Sequence, residues 1–214
     1  NKALDFLPIN SIKNGGITVV WGGVSFFAFW RIFFMITAHS LASISKNISS
    51  QRNANKVVGI LFCHPENSLG KEEIISHLNF FHHYSATDID FYCVGYGAYW
   101  SFEDYPDHKE VMEIDRTKWL FSDKAFSDVI KEIENKTSWK FSGETELILL
   151  DTSKKNIDKL NFDSAIVCNL EIMKKDKAFS SVRNFFMQLF HENQSKNDLN
   201  SWSISDRLGV KTAT

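Results

Sequence analysis

KVVGILFCHPENSLGKEEIISHLNFF, residues Lys56–Phe81, carries the fold of this chain. Its first part, Val57–Cys63, is a continuous apolar run, the pattern of a strand buried on both faces of a sheet. A polar turn, His64-Pro65-Glu66-Asn67, follows, and Ser68 stands where it can cap a helix. Glu72 and Glu73 fall in the first turn of that helix, at the positive end of its dipole. Ile74, Ile75, Leu78 and Phe81 keep helical spacing, and the helix is expected to end near His82-His83. Strand, turn and helix in this order open a parallel α/β unit, and the turn is where such folds place their chemistry.

Downstream, Ile89–Val94 reads as a second strand bounded by Asp88 and Gly95. Residues 95–118 are long for a connection in a compact domain and mix aromatics with acids; within them Val111–Ile114 is expected to be ordered. Ser122 or Asp123 caps a helix running to about Lys136, with Phe126, Val129, Ile130 and Ile133 as its apolar stripe. Trp139–Gly143 is a turn, Glu146–Asp151 a third strand and Ala165–Glu171 a fourth. The join TSKKNIDKLNFD has no helical pattern, so these two strands are expected to pair antiparallel. Ala178–Phe190 is a third helix, and 193–214 is a polar tail. No internal repeat occurs.

Upstream, residues 1–45 form a hydrophobic N-terminal segment. Within it, residues 17–38, ITVVWGGVSFFAFWRIFFMITA, carry a single charge, Arg31, over a length that suits a bilayer core. Three readings stand open. One is a transmembrane helix with Arg31 snorkelling or paired. Another is a buried hairpin turning at Gly22-Gly23. The third is a core helix or one that packs on another subunit. Residues 39–55 are polar and rich in Ser and Asn, as in a linker or a fraying helix end, and 46–55 serve as the linker to an α/β domain over 56–192. Lys46, Arg52 and Lys56 follow the apolar run against Lys2 and Lys13 before it, which favours a cytoplasmic placement of the main domain. The chain begins with Asn, as a processed form or a piece of a longer protein would.

Composition narrows the classes further. The 214 residues are 43% hydrophobic and 23% charged, a globular balance, and 19 Phe provide ample core. A net charge of −2 disfavours generic nucleic-acid binding. Cys63, Cys93 and Cys168 are odd in number and form no CxxC, which argues against a disulfide framework and for a reducing compartment. No GxGxxG, Walker A or GxSxG sequence occurs, so nucleotide binding or a serine triad through those motifs is unsupported. No cofactor is implied.

The element order β-α-β, α, β-β-α over residues 56–192 resembles the thioredoxin-like fold. Cys63-His64-Pro65-Glu66 follows the first strand, where that family carries its Cys-x-Pro-Cys redox turn. In the resemblance, Cys63 matches the attacking cysteine and Pro65 the proline of the turn. Glu66 replaces the second cysteine, and the proline expected before the third strand is absent from SGETEL. What the resemblance implies is therefore the scaffold and not the dithiol activity. A generic doubly wound α/β domain is the alternative.

Candidate chemistry concentrates at the turn. Cys63 at a strand end before a helix could act as a single thiol, with His64 and Glu66 as acid–base partners. His64, Glu66, Asp104, Asp107 and His108 are the residue types of a metal or acid–base set, but no tight ligand spacing such as HExxH supports a metal site. His77, His82 and His83 crowd one helix end, where the dipole favours imidazolium. Tyr96, Tyr99, Trp100, Phe102 and Tyr105 are the kind of aromatics that anchor a protein partner. The leading expectation is a membrane-associated binding or regulatory module. The others are a monothiol redox or thiol-transfer enzyme, and an oligomer subunit whose N-terminal segment packs on a partner.

Overall fold

Apolar strands with no polar side to turn to water require helices on both faces of their sheet, and that is how the chain folds. The computed structural model describes residues 36–38, 40–50, 57–78, 89–98, 100, 102–114, 116–153 and 156–194. The strands described are β1 (Ile36–Ala38), β2 (Val57–Phe62), β3 (Ile89–Val94), β4 (Tyr96–Ala98), β5 (Lys109–Ile114), β6 (Thr117–Phe121), β7 (Glu146–Ser153) and β8 (Asn156–Asn169). The helices are α1 (Leu41–Ser50), α2 (Asp123–Lys136), α3 (Leu170–Lys175) and α4 (Val182–Gln194). After the β2 turn, a π-helix over Gly70–Ile74 tightens into a 3-10 turn over Ile75–His77.

The main sheet has the order β1-β3-β2-β7-β8. β1 and β2 run parallel to β3 on its two sides, β7 is antiparallel to β2, and β8 is antiparallel to β7. Every residue of β2 and β3 is buried, Asp90 included. Gly59 lies opposite Phe91, and a Cβ there would meet the Phe91 ring at 2.7 Å, so the missing side chain makes room for the aromatic. Phe91 meets Phe186 and Phe190 of α4, at ring distances of 5.1 and 6.1 Å. Phe62, of opposite parity to Gly59, faces Phe126 of α2 at 6.3 Å. α1 joins α2 on its side, where the Leu41 N–H donates to Glu132 Oε2 at 3.1 Å. The π-helical segment joins α4, where the Val182 N–H donates to Glu73 Oε2 at 2.8 Å.

Several expectations change. The C-terminal end of the apolar stretch, Ile36–Ala38, is strand β1 of the sheet; residues 17–35 lie outside the described residues. Among the described residues no helix is long and apolar enough to cross a membrane. The boundary expected at residue 45 falls inside α1, because Leu41, Ile44 and Ile48 form a stripe buried in the core. The long loop after β3 contains a second sheet of order β4-β6-β5, all antiparallel. β7 and β8 do form an antiparallel pair, with longer strands than expected, and α3 begins where the fourth strand was expected to end. The tail beyond residue 194 lies outside the described residues.

Candidate functional site

Chemistry-bearing residues meet where the carboxyl end of β2, the start of β5 and the N-terminus of α2 come together. β2 ends at Phe62, and the turn after Cys63 closes with the Asn67 N–H on His64 O at 3.0 Å. α2 starts because Ser122 caps it: its Oγ accepts from the Ala125 N–H at 3.0 Å. The Ser122 hydroxyl donates in turn to Asp107, whose carboxylate also accepts from the Lys124 N–H at 2.8 Å. Burial raises the Asp107 carboxyl, but these bonds outweigh it and hold the group below its ordinary range.

His64 is fixed on all sides. Its Nε2 lies 2.8 Å from Asp123 Oδ1, and its Nδ1 accepts from the Glu66 N–H at 3.2 Å. That pair of contacts selects the tautomer with the proton on Nε2. The ring packs edge-on against Phe121 and Phe126 at 5.0 and 5.6 Å. Lys109 completes the network, 3.3 Å from Glu66 and 3.8 Å from Asp123. With both nitrogens of His64 already bonded, an acid–base step at this ring would first have to break a bond that holds the turn.

Cys63 is enclosed. Its thiol is fully buried, and a Cβ on Gly70 would stand 2.8 Å from Sγ, so the π-helix seals the sulfur directly. Burial pushes the thiol up to about 12, opposed by the nearby Tyr96 hydroxyl and with a smaller push from the Glu171 charge. A thiol raised in this way is disfavoured as a nucleophile at neutral pH. Cys93 is raised by burial and by Cys63, and Cys168 is pushed up to about 12 by burial; all three thiols are free.

The aromatics expected to face a partner divide. Tyr96 is completely buried, a correction to its expected exposure: its O–H donates to Cys63 O at 2.8 Å and its ring lies 4.9 Å from Phe121. Tyr99 lies outside the described residues. Trp100 and Tyr105 meet at 4.7 Å and are half-buried, whereas Phe102 is 68% exposed. Of Asp104, Asp107 and His108, Asp107 reaches this corner, bonded to the start of α2 on either side of Asp123. His108 instead donates from Nδ1 to Tyr105 O at 2.6 Å. Among the described residues no group of three or more His, Cys, Asp or Glu side chains is placed to hold a metal ion. His77 meets Ser76 at 2.9 Å, and His82 and His83 lie outside the described residues.

Asp123 and Lys109 belong to this corner but carry no motif; Asp123 is legible in sequence only as a helix cap. Glu146 is a further unforeseen group. It is buried at the start of β7 and accepts from Trp139 Nε1 at 2.9 Å and from the Ser142 N–H at 3.3 Å. The neighbouring turn is tied to the site by Asn67 Nδ2 donating to Gly143 O at 3.2 Å. No family model, curated protein or solved structure matches this chain.

Proposed function

We propose that this chain is a membrane-associated binding or regulatory protein built on a thioredoxin-like α/β domain. The fold half of this reading is supported by a parallel pair, β2 and β3, joined through a helical crossover, followed by α2, an antiparallel pair, β7 and β8, and a closing helix, α4. The functional half rests on one contrast: the sulfur of Cys63 is sealed under Gly70, while Phe102 stands open on the added sheet's loop. A buried, protonated thiol without a resolving cysteine holds a strand end in place, and an exposed aromatic on a tied loop offers contact. The binding edge is the surface that joins the turn after β2 to the loop between β4 and β5. The main domain lies on the cytoplasmic side, by the basic residues that follow the apolar run. Anchoring falls to the apolar sequence that precedes β1, which carries a single charge, Arg31.

The test has two arms on the full chain. Thiol alkylation followed by mass spectrometry is expected to leave Cys63 unmodified until denaturant unfolds the domain. Rapid native labelling of Cys63 would return the reading to single-thiol chemistry. Membrane fractionation is expected to retain the full chain and to release a chain lacking residues 1–32; a detergent-free, monodisperse full chain would remove the anchor.

A further inference from the structure

Phe102 is more exposed than any other large hydrophobic side chain among the described residues. An exposed phenylalanine on a loose loop would be unremarked surface, but the described residues of this loop are tied at several points. The His108 ring meets Phe102 edge-to-face at 4.9 Å. His108 is itself held by two bonds to Tyr105 O, one from Nδ1 at 2.6 Å and one from its backbone N–H at 3.1 Å. Asp107 anchors the loop to the start of α2. Trp100 lies against Gly97, where even a methyl group would collide with it, and meets the Tyr105 ring at a tilt. The ring is therefore presented with little left to order on binding, the condition under which an aromatic anchor contributes most.

The sequence around it is predominantly acidic. Between residues 102 and 114 stand Glu103, Asp104, Asp107, Glu110 and Glu113 against Lys109. Lys109 is committed to Glu66 and Asp123, and Lys118 of β6 to Glu110. The same corner already seats two ammonium groups on ring faces. Lys124 Nζ lies 5.9 Å from the Tyr105 centroid, and Lys109 Nζ lies 5.7 Å from that of Phe121.

We propose that the Phe102 loop docks a basic, partly apolar segment of a protein partner, with a Lys or Arg side chain over the Phe102 ring and paired to the carboxylates beside it. This deepens the binding reading above and rests on it. Cation–π attraction and charge complementarity act together at such a point. A second copy of this chain is the poorer occupant, since a two-fold contact would set these carboxylates against their own equivalents. An anionic lipid surface would be repelled by them.

The experiment titrates the full chain in detergent with a labelled peptide of alternating Lys and Leu, read by fluorescence anisotropy. The same peptide with Glu for Lys is the control. Binding of the cationic peptide alone is expected, with affinity reduced about 10-fold or more by Phe102→Ala. The pair Glu103→Lys with Asp104→Lys is expected to shift preference to the acidic peptide. Equal binding by wild type and Phe102→Ala, or equal binding of both peptides, overturns the proposal. So does Phe102-dependent binding to phosphatidylserine vesicles, or a Phe102-dependent dimer in sedimentation. Cys63 labelling is scored on the same samples. Native labelling would sink the broader reading, while failed peptide binding with a protected Cys63 sinks only the choice of partner.

Discussion

At the scale of single residues, Glu73 shows how one side chain joins distant parts of the chain. It stands in the π-helix and receives both the Lys174 ammonium and the backbone N–H that opens α4. Burial raises its carboxyl, but the Lys174 and Val182 bonds more than offset this, so the group lies below its ordinary range. A carboxyl depressed on folding stabilises fully above its unfolded value, roughly 4.3, and loses that contribution as pH falls through the folded value. Glu73→Gln is therefore expected to lower stability by about 1 kcal/mol at neutral pH, with the gap to wild type closing below about pH 4. Denaturant unfolding at the two pH values checks this; a gap that stays constant would show that the charge is not the source. Residue-scale legibility was uneven. The Ser122 cap could be read from its place before an amphipathic run. The His64–Asp123 contact spans 59 residues of sequence and leaves no local trace.

Elements were legible where their periodicity was long and clean. β2, β3 and α2 carry unbroken burial or a four-residue stripe, and each falls within a residue or so of its expected bounds. The small sheet was read mainly as loop, for physical reasons. β4 is only three residues long, and β5 carries charged residues at three of its six positions. The β5–β6 turn also lacks the usual glycine: Arg116 adopts φ 64°, a left-handed conformation that costs an L side chain energy. Arg116→Gly is expected to raise stability by about 1 kcal/mol, since glycine enters this region without the Cβ clash. Thermal melting of the variant checks it; an unchanged or lowered midpoint would mean that Arg116 makes a compensating contact. α1 was legible only as a linker or a fraying helix end, for a different reason. Leu41, Ile44 and Ile48 sit at helical spacing among serines, asparagine and lysine, so average polarity hid a stripe of three.

At the scale of the molecule, β1 and α1 change where the domain begins. β1 pairs along β3, and α1 packs beside α2 and against β8. A chain beginning at Phe33 is expected to fold with a cooperative transition. One beginning at Lys56 should lose Leu41, Ile44 and Ile48 from the core and remain unfolded or aggregated, because each buried aliphatic removed costs roughly 2–5 kcal/mol against a total of about 5–15. Circular dichroism and denaturant titration of the two chains decide this, and an equally stable shorter chain would restore the boundary at the linker. By itself, the sequence determined the alternation of buried strands with amphipathic helices and the antiparallel closing pair. These follow from short-range periodicity and from the lack of a crossover helix. Only the tertiary structure decided that Gly70 seals Cys63, that Asp123 reaches His64, that Tyr96 points inward and that Phe102 stays outside. Those outcomes depend on which segments the topology brings side by side, and the burial of a thiol or a ring is a property of its neighbours and not of its place in the chain.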